Sequence, residues 1–256
     1  MGNAMLDNFF DKNPKLALCY SGGADSSYLL YAGVTRGADI KPYFVKTRFQ
    51  PQFELEDAVS FCEWLKTELL IIELEILGVP QVASNGRDRC YHCKRMILGE
   101  VIKRSALEGY GAVADGTNAS DDASSRPGMR ALDELGVISP LRACGLAKNE
   151  IRALSRGAGL PTADKPAYSC LATRIQTDTE ITSDHLRKIE ETEGLLFRLG
   201  FSGFRVRYRA DGLALIEAAR GQMRALLEKR DEIQDGFAPY FASVALDLRG
   251  RDDENE

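Results

Sequence analysis

Two cysteine-containing segments hold residue types able to do covalent or metal chemistry. The segment RDRCYHCKRM, Arg87–Met96, contains Cys90 and Cys93 in a Cys-x-x-Cys arrangement. The segment LPTADKPAYSCLATRI, Leu160–Ile175, contains Cys170. Thiolates are strong nucleophiles and good ligands for soft metals. These three cysteines are therefore candidates for a redox pair, for metal ligands or for a sulfur nucleophile.

The spacing of Cys90 and Cys93 leaves several kinds of site open. A structural zinc site needs four protein ligands, and the two histidines are poorly suited, since His92 lies inside the Cys-x-x-Cys and His185 in a distant helical segment. A thioredoxin-like pair is possible, although the surrounding pattern is not that of thioredoxin. With Cys170 as a third thiolate, an iron–sulfur cluster with one open coordination position is favoured. A small buried pair at a helix start, or an adventitious zinc site, is the alternative.

Cys170 lies in a segment with positive charge on both sides. Lys165 and Arg174 are expected to favour its thiolate form, and Pro166 with the small residues nearby predicts an exposed loop. The alternative is a buried loop cysteine between domains. The remaining cysteines are predicted to be core or bystander residues: Cys19, Cys62 and Cys144.

A glycine-containing loop follows the apolar run Leu16–Tyr20. Its sequence, SGGADSS, combines two glycines that permit a tight turn with hydroxyl side chains and a following helix start, which together predict an anion site. It matches neither the Walker A pattern nor the dinucleotide fingerprint, and a plain strand–helix turn is the alternative. Asp25 is the natural magnesium partner. The candidate phosphate-binding residues are Ser21, Gly22, Gly23, Asp25, Ser26 and Ser27.

Apolar runs alternate with amphipathic segments up to about Gly157, which predicts an α/β domain with a parallel sheet and helices on both faces. The predicted strands are Leu16–Tyr20, Ile40–Val45, Leu69–Ile76, Gly111–Ala114 and Val137–Ser139. The predicted helices are Ser26–Arg36, Glu54–Lys66, Cys90–Ala106 and Lys148–Gly157. Ligands of such sheets bind beyond the carboxyl ends of the strands, so the polar loops there should meet. These loops are Ser21–Ser27, Asp115–Asp122 and Ser139–Arg142.

After Pro166 the pattern changes to that of a smaller α+β domain. Its predicted elements are the helix Ser183–Leu199, the strands Phe204–Arg209 and Leu213–Glu217, the helix Gly221–Gln234 and the strand Tyr240–Leu248. The predicted domains are residues 1–166 and 167–249, and the acidic residues 250–256 are predicted to be a disordered tail.

The composition is that of an ordinary globular protein. The 256 residues are 44% hydrophobic and 28% charged, with a net charge of −5. The acidic balance argues against a general nucleic-acid binder. No apolar run approaches the roughly 20 residues that span a membrane, and no secretory pattern is visible, so a cytoplasmic protein without a disulfide framework is expected.

The string Ser-Gly-Gly-x-Asp-Ser at the end of the first strand resembles the pyrophosphate loop of the ATP pyrophosphatase (PP-loop) superfamily, which includes NAD synthetase, asparagine synthetase, GMP synthetase and tRNA-thiolating enzymes. The resemblance implies an adenine nucleotide α-hydrolase-like domain. It also implies that ATP is cleaved between its α- and β-phosphates, that AMP passes to a substrate oxygen, and that the loop holds the pyrophosphate.

Six short segments that span nearly the whole chain carry a second resemblance: SGGADSS, RCYHCK, DGTNASDD, RPG (Arg126–Gly128), LPTADKPAYSCLATRI and FRVRYRADGLALIE. In these segments and in their order, the chain is similar to the LarE-type ATP-dependent sacrificial sulfur transferases. It departs from many relatives in having Ala24 in place of Val and Thr173 in place of Ser.

That resemblance implies a reaction. ATP adenylylates a carboxylate of pyridinium-3,5-biscarboxylate mononucleotide, and sulfur then makes a thiocarboxylate on the path to the nickel-pincer nucleotide. Cys170 matches the sulfur-donating cysteine, which in single-cysteine members becomes dehydroalanine. Members that also have the Cys-x-x-Cys resemble 4Fe–4S enzymes, so a cluster on Cys90, Cys93 and Cys170 is predicted, with a sacrificial Cys170 as the alternative.

The resemblance also implies further site residues and partners. Arg205 and Arg207 point to one face of a predicted strand and match arginines that bind the substrate phosphate. Glu193 and Glu217 match acidic residues near the substrate and are candidate metal ligands. ATP, Mg²⁺, a sulfide or other sulfur donor and a homo-oligomer are expected. Turn and cap chemistry or solvated faces are the structural alternatives. The predicted nucleotide and substrate loop comprises Asp115, Thr117, Asn118, Asp122 and Arg126.

Three other functions remain open from the sequence. A tRNA 2-thiolation enzyme would share the loop, the adenylylation and a three-cysteine cluster, but the acidic charge and the lack of a recognisable RNA-binding module oppose it. An amide-forming synthetase would need ammonia and no cysteines. A nucleotide-binding or iron-storing regulator would release no pyrophosphate.

Overall fold

The computed structural model describes residues 4–121, 127–209 and 211–251, and the chain divides into two compact units. The first unit comprises Met1–Ile76 and Asp88–Tyr168, and the second comprises Leu77–Arg87 and Ser169–Glu256. In the part of the chain that is described, no helix is long and apolar enough to cross a membrane.

The helices and strands follow one another along the chain. The helices are α1 (Ala4–Lys12), α2 (Ala24–Arg36), α3 (Gln52–Leu65), α4 (Pro80–Ala83), α5 (Arg89–Leu107), α6 (Pro127–Leu135), α7 (Pro140–Ala143), α8 (Lys148–Gly157), α9 (Ser183–Arg198), α10 (Met223–Glu228) and α11 (Arg230–Phe237). The strands are β1 (Lys15–Cys19), β2 (Asp39–Lys46), β3 (Leu70–Glu73), β4 (Val113–Asp115), β5 (Arg205–Tyr208), β6 (Leu213–Glu217) and β7 (Ser243–Leu246). Short 3-10 helices lie at Leu171–Arg174 and Arg220–Gln222.

The first unit is built on a parallel four-stranded sheet of order β3-β2-β1-β4. The central strand β1 is apolar throughout its buried part because both of its faces are covered by helices. One face packs in a cluster that includes Leu16, Leu18, Leu30 and Phe44, and the other in a cluster that includes Ala17, Tyr43, Val45 and Val101. The predicted α/β class with a parallel sheet is confirmed.

Two predicted strands of this unit are shorter than expected. The third strand ends at Glu73, rather than Ile76, because its partner Lys46 is the last residue of β2. The predicted strand Val137–Ser139 is reduced to a single bridge between Ile138 and Ala114. Ile138 still extends the edge of the sheet beside β4, and so brings the following polar residues to the same end.

The second unit has a mixed three-stranded sheet of order β5-β6-β7, antiparallel between β5 and β6 and parallel between β6 and β7. Its core includes Leu196 from α9 and Phe237 from α11. The predicted helix Gly221–Gln234 is interrupted: the chain leaves helical geometry at Lys229, which ends α10 and precedes α11.

The segment Leu77–Arg87 belongs to the second unit, although a boundary at residue 166 leaves it in the first predicted domain. Asn85 joins this segment to the second unit. Its buried side-chain amide donates to the carbonyl oxygens of Ile175 and Gln176 at 3.3 and 2.8 Å, and its backbone carbonyl oxygen accepts from the Asp178 amide at 3.0 Å. These contacts join residues some ninety positions apart, so no local pattern predicts them.

Candidate functional site

The loop between β1 and α2, residues Ser21–Ser27, is here called the anion loop. Gly22 has φ +72°, a conformation that glycine adopts without strain. A Cβ at Gly22 would also lie 3.1 Å from the Ala58 Cβ and 3.3 Å from the Glu54 carbonyl oxygen. The first glycine of the loop is therefore required twice, by its backbone conformation and by the helix that lies against it.

The serines of the anion loop have different roles. The hydroxyl groups of Ser21 and Ser26 are 3.0 Å apart, and the Ser26 hydroxyl donates to the Gly23 carbonyl oxygen at 3.2 Å. Ser27 is fully buried and its hydroxyl is 3.0 Å from the Tyr20 hydroxyl. Ser21 is therefore exposed at the loop surface, whereas Ser26 is buried beneath it and the Ser27 hydroxyl faces Tyr20.

The loop after β4 lies directly against the start of α2. A Cβ at Gly116 would be 2.9 Å from the backbone nitrogen and Cα of Ser26, an approach that only glycine allows. Two residues along, the side-chain amide of Asn118 donates to the Asp25 carboxylate at 3.0 Å. Burial raises the pKa of Asp25, and the Asn118 hydrogen bond opposes that rise.

Asp115, the last residue of β4, is buried at the centre of a polar network. Its carboxylate accepts from the Thr117 amide at 3.2 Å, from the Ser139 hydroxyl at 2.7 Å and from the Lys94 ammonium at 3.3 Å. Lys94 follows Cys93 directly on α5. The network therefore ties the end of the sheet to the helix that carries the cysteine pair.

The three loops expected at the carboxyl edge of the sheet do come together. The Arg142 amide donates to the Thr117 carbonyl oxygen at 3.2 Å, and this joins the loop at Ser139–Arg142 to the loop at Asp115. The Asn118 to Asp25 bond joins the loop at Asp115 to the anion loop. Two predicted members of the nucleotide and substrate loop, Asp122 and Arg126, lie outside the described residues.

Cys90 and Cys93 are the second and fifth residues of α5. Residues three apart on a helix share a side, so the two thiols face the same direction. Cys90 is exposed and Cys93 partly exposed, and the Arg89 guanidinium donates to the Cys90 Sγ at 3.2 Å. Two soft donors are therefore presented together. Within neither unit, over the residues described, do three or more His, Cys, Asp or Glu side chains form a metal-binding group.

Cys170 belongs to the second unit, where it directly precedes the 3-10 helix Leu171–Arg174. Its carbonyl oxygen accepts from the Thr173 amide at 2.9 Å and from the Thr173 hydroxyl at 2.8 Å. The Cys170 side chain is partly exposed. Thr173 therefore uses its hydroxyl to close this turn.

Arg174 and Glu193 form a buried ion pair behind Cys170. Their side chains are 1% and 2% exposed, and the Arg174 Nε and Nη2 donate to the two Glu193 carboxylate oxygens at 2.8 and 3.2 Å. Arg174 Nη1 also donates to the Ser169 carbonyl oxygen at 2.9 Å, and the Val206 amide donates to Glu193 at 2.9 Å. Arg174 is thus paired with a buried carboxylate, and Glu193 joins Arg174 to the backbone of β5.

Four arginines of the second unit influence one another electrostatically, and they are here called the arginine cluster. Burial and the neighbouring guanidinium groups lower the pKa of Arg205 to about 10. Arg207 donates to the Glu217 carboxylate at 2.9 Å. Glu217 therefore pairs with an arginine, and the cluster retains an excess of positive charge suited to an anion. The members are Arg174, Arg205, Arg207 and Arg251.

Sequence reasoning missed the partners of two cations, one in each unit. Arg251, near the C-terminal end, lies 3.7 Å from the Glu217 carboxylate. Lys165, assigned from the sequence to the surroundings of Cys170, has its ammonium in the first unit, 3.2 Å from the Gly22 carbonyl oxygen and 2.8 Å from Asp57. Both partnerships join residues far apart in the chain, so local spacing holds no signal for them.

Comparison with known proteins finds relatives along almost the whole chain. An uncharacterized protein of Synechocystis is 33% identical, with 96% of this chain and 92% of that protein covered. An uncharacterized protein of Methanocaldococcus jannaschii is 30% identical, with 93% and 90% covered. The pyridinium-3,5-bisthiocarboxylic acid mononucleotide synthase of Lactiplantibacillus plantarum is 28% identical, with 92% and 86% covered. No protein-family model matches the chain.

Proposed function

We propose that this chain, which belongs to one family with the proteins of Synechocystis and Methanocaldococcus jannaschii, is an ATP-dependent sulfur transferase acting on pyridinium-3,5-biscarboxylate mononucleotide. The similarity to the pyridinium-3,5-bisthiocarboxylic acid mononucleotide synthase of Lactiplantibacillus plantarum supports the reaction class and the kind of substrate. The observation that supports ATP use is the anion loop, in which Ser21 and two glycines precede a 13-residue helix at the carboxyl edge of a parallel sheet, and Ser26 lies in the first turn of that helix.

The first step is the transfer of AMP. A substrate carboxylate oxygen attacks the α-phosphorus of ATP, the bond to the bridging oxygen breaks, and pyrophosphate leaves with the electron pair. The loop amides and the N-terminal end of α2 stabilise the negative charge on the departing pyrophosphate. The product is an acyl adenylate, whose AMP is a good leaving group.

Magnesium fits the donor chemistry of this site. Asp25 offers a partly buried carboxylate at the start of α2, and burial raises its pKa. Mg²⁺ prefers carboxylate and phosphate oxygens and is often held by one or two carboxylates together with the phosphates. Asp25 would hold the ion, and the positive charge of Mg²⁺ would neutralise the phosphate oxygens.

The second step replaces AMP by sulfur. Cys90, Cys93 and Cys170 are soft donors that fit a 4Fe–4S cluster, and they would hold it with one iron open. Such a cluster, when bound, supplies a carrier for sulfide. Neighbouring side chains hold the cysteine-bearing segments in place. Lys94 ties helix α5, which carries Cys90 and Cys93, to Asp115, and Arg174 donates to the Ser169 carbonyl oxygen next to Cys170.

A sacrificial Cys170 is the alternative route. The Cys170 sulfur attacks the acyl carbon and AMP leaves, which forms a thioester. Loss of the Cys170 Cα proton then breaks the bond between Cβ and sulfur, releases the thiocarboxylate and leaves dehydroalanine. The polypeptide loses the elements of H₂S, about 34 Da.

The arginine cluster is proposed to hold the phosphate of the mononucleotide. Arg205 and Arg207 alternate with the buried Val206 on β5, so both project from the same face of the strand. A planar guanidinium fork matches the geometry of a phosphate monoester. The excess positive charge of the cluster would attract the doubly charged phosphate group.

Substrate-dependent pyrophosphate release tests the proposal. The purified protein, reconstituted anaerobically with iron and sulfide, is mixed with ATP, Mg²⁺ and the biscarboxylate mononucleotide. AMP, pyrophosphate and a thiocarboxylate should all appear, and none should form without the mononucleotide. Release that instead requires tRNA would identify a tRNA-thiolating enzyme, and release that requires ammonia would identify an amide-forming synthetase. Binding of ATP without release of pyrophosphate under any of these conditions would instead identify a nucleotide-binding regulator.

A further inference from the structure

A cation from a distant part of the chain lies behind the anion loop. The Lys165 side chain is 14% exposed, and its ammonium lies 2.8 Å from the Asp57 carboxylate and 3.4 Å from the Glu54 carboxylate. The same ammonium donates to the Gly22 carbonyl oxygen at 3.2 Å. The anion loop itself contains no lysine or arginine.

We propose that Lys165 is a positioning residue that fixes the peptide between Gly22 and Gly23 so that the Gly23 amide faces a bound pyrophosphate group. The inference rests on the proposed ATP chemistry of the loop. A trans peptide is planar, so its carbonyl oxygen and the following N–H point in opposite directions. When Lys165 holds the Gly22 carbonyl on one side, the Gly23 N–H is directed to the other.

This peptide needs an external anchor because both of its flanking residues are glycines. Glycine tolerates positive and negative φ almost equally, so rotation of the whole peptide meets little steric resistance. The Gly23 amide donates to the Ser21 hydroxyl at 3.4 Å, a long distance at which a hydrogen bond is weak. The amide is therefore available for a stronger, charged acceptor.

The anchor is itself held in place. Arg152 donates to the Lys165 carbonyl oxygen at 2.9 Å and to the Ala163 carbonyl oxygen at 3.3 Å, which fixes the backbone of this segment. A few residues later, the rings of Tyr168 and Phe53 meet edge to face at 4.9 Å. Lys165 thus reaches the loop from a fixed backbone, with Asp57 and Glu54 orienting its ammonium.

The test is pyrophosphate binding by the full chain in the presence of Mg²⁺, without mononucleotide or sulfur source. Lys165→Met keeps the side-chain length and removes the charge and the donor. Calorimetry should show pyrophosphate bound about tenfold more weakly, which corresponds to one hydrogen bond to a charged group. Lys165→Arg should bind within about threefold of the wild type, because it restores a cationic donor. Lys12→Met, which removes an exposed lysine from α1, is the control and should change nothing.

A second readout separates positioning from a merely structural role. In protein labelled with ¹⁵N-glycine, the Gly23 amide resonance of the wild type should shift on addition of pyrophosphate, and this shift should be lost in Lys165→Met. If Lys165→Met fails to fold, Lys165→Gln gives the same comparison. Unchanged pyrophosphate affinity with an unchanged Gly23 shift would overturn the proposal. Failure of the wild type to bind pyrophosphate or ATP would instead overturn the proposed function.

Discussion

Gly116 is the residue at which two loops of the candidate site touch. A methyl group there would come within 2.9 Å of the Ser26 backbone, which cannot move without displacing the start of α2. We expect Gly116→Ala to destabilise the protein by about 1–3 kcal/mol in urea unfolding and to weaken ATP binding.

Gly99 provides a matched control for this substitution. It lies within α5, where an added Cβ would have no neighbour within 4 Å. Gly99→Ala should stabilise the protein by about 0.5–1 kcal/mol, because alanine is the better helix former. Equal stability losses in the two variants would show that the contact at Ser26 has no special importance.

The cysteines differ in chemical environment, and this gives a second test at single residues. Burial, with the Asp115 charge beside it, raises the pKa of Cys19 to about 12, and burial raises that of Cys62 to about 12. Cys90 is exposed. Iodoacetamide at pH 8 should therefore alkylate Cys90 in the iron-free protein and leave Cys19 and Cys62 unmodified.

Peptide mass mapping measures this order of reaction. Reconstitution with iron and sulfide should then protect Cys90 from iodoacetamide. Modification of Cys90 at the same rate before and after reconstitution would argue that this residue holds no iron.

At the scale of elements, the buried pair of Arg174 and Glu193 ties α9 to the 3-10 helix that follows Cys170. Removing one partner leaves an unpaired charge at a site that is 1–2% exposed. Glu193→Ala should lower the free energy of unfolding by about 3–5 kcal/mol, measured in urea. Arg36 and Asp11 form an exposed pair with similar geometry, so Asp11→Asn should leave the unfolding midpoint almost unchanged.

The same pair predicts a local effect. Hydrogen exchange at the Thr173 amide, which donates to the Cys170 carbonyl, should accelerate in Glu193→Ala more than exchange in β6. Leu196→Ala removes a buried side chain of the same helix without touching the pair, and should raise exchange around its own core contacts instead. Equal acceleration at Thr173 in both variants would contradict a specific link to the Cys170 turn.

Elements set by a local pattern were predictable, whereas those set by distant partners were not. The helix Lys148–Gly157 and the strand Leu213–Glu217 have the expected bounds, because each has a clear apolar period and nearby turn residues. The prediction of a strand at Val137–Ser139 was wrong, because, within the described ranges, Ile138 pairs only with Ala114 across the sheet. The helix α1 was missed, although Leu6 and Phe10 are four apart and buried.

In the candidate site, too, some features could be predicted from local motifs and others depend on distant partners. The anion loop and the Asp115 loop follow from short motifs at strand ends, and the structure brings these loops together through Asn118. The partners of Arg174 and Lys165 depend on tertiary folding. Lys165 meets Gly22 across 143 positions of the chain, a separation over which residue spacing carries no information.

At the scale of the whole molecule, positive charge is concentrated locally in a chain that is acidic overall. The chain has a net charge of −5, yet the second unit concentrates the arginine cluster around Glu217 and Glu193. Arg207→Lys should weaken mononucleotide binding about tenfold or more, because a lysine cannot reproduce the guanidinium fork.

Calorimetry with the mononucleotide measures this loss, and Arg224→Lys, on an exposed pair in α10, is the control. ATP affinity should stay unchanged in both variants. A fall in ATP affinity equal to the fall in mononucleotide affinity would contradict the assignment of the cluster to the substrate phosphate.

We propose above all that this chain transfers sulfur to an ATP-activated carboxylate with its own polypeptide intact. Intact-protein mass before and after one anaerobic turnover with ATP, Mg²⁺ and the biscarboxylate mononucleotide tests this most directly. We expect thiocarboxylate product, bound iron and an unchanged polypeptide mass. A loss of about 34 Da at Cys170 for each product formed would contradict it and assign the sulfur to the cysteine itself.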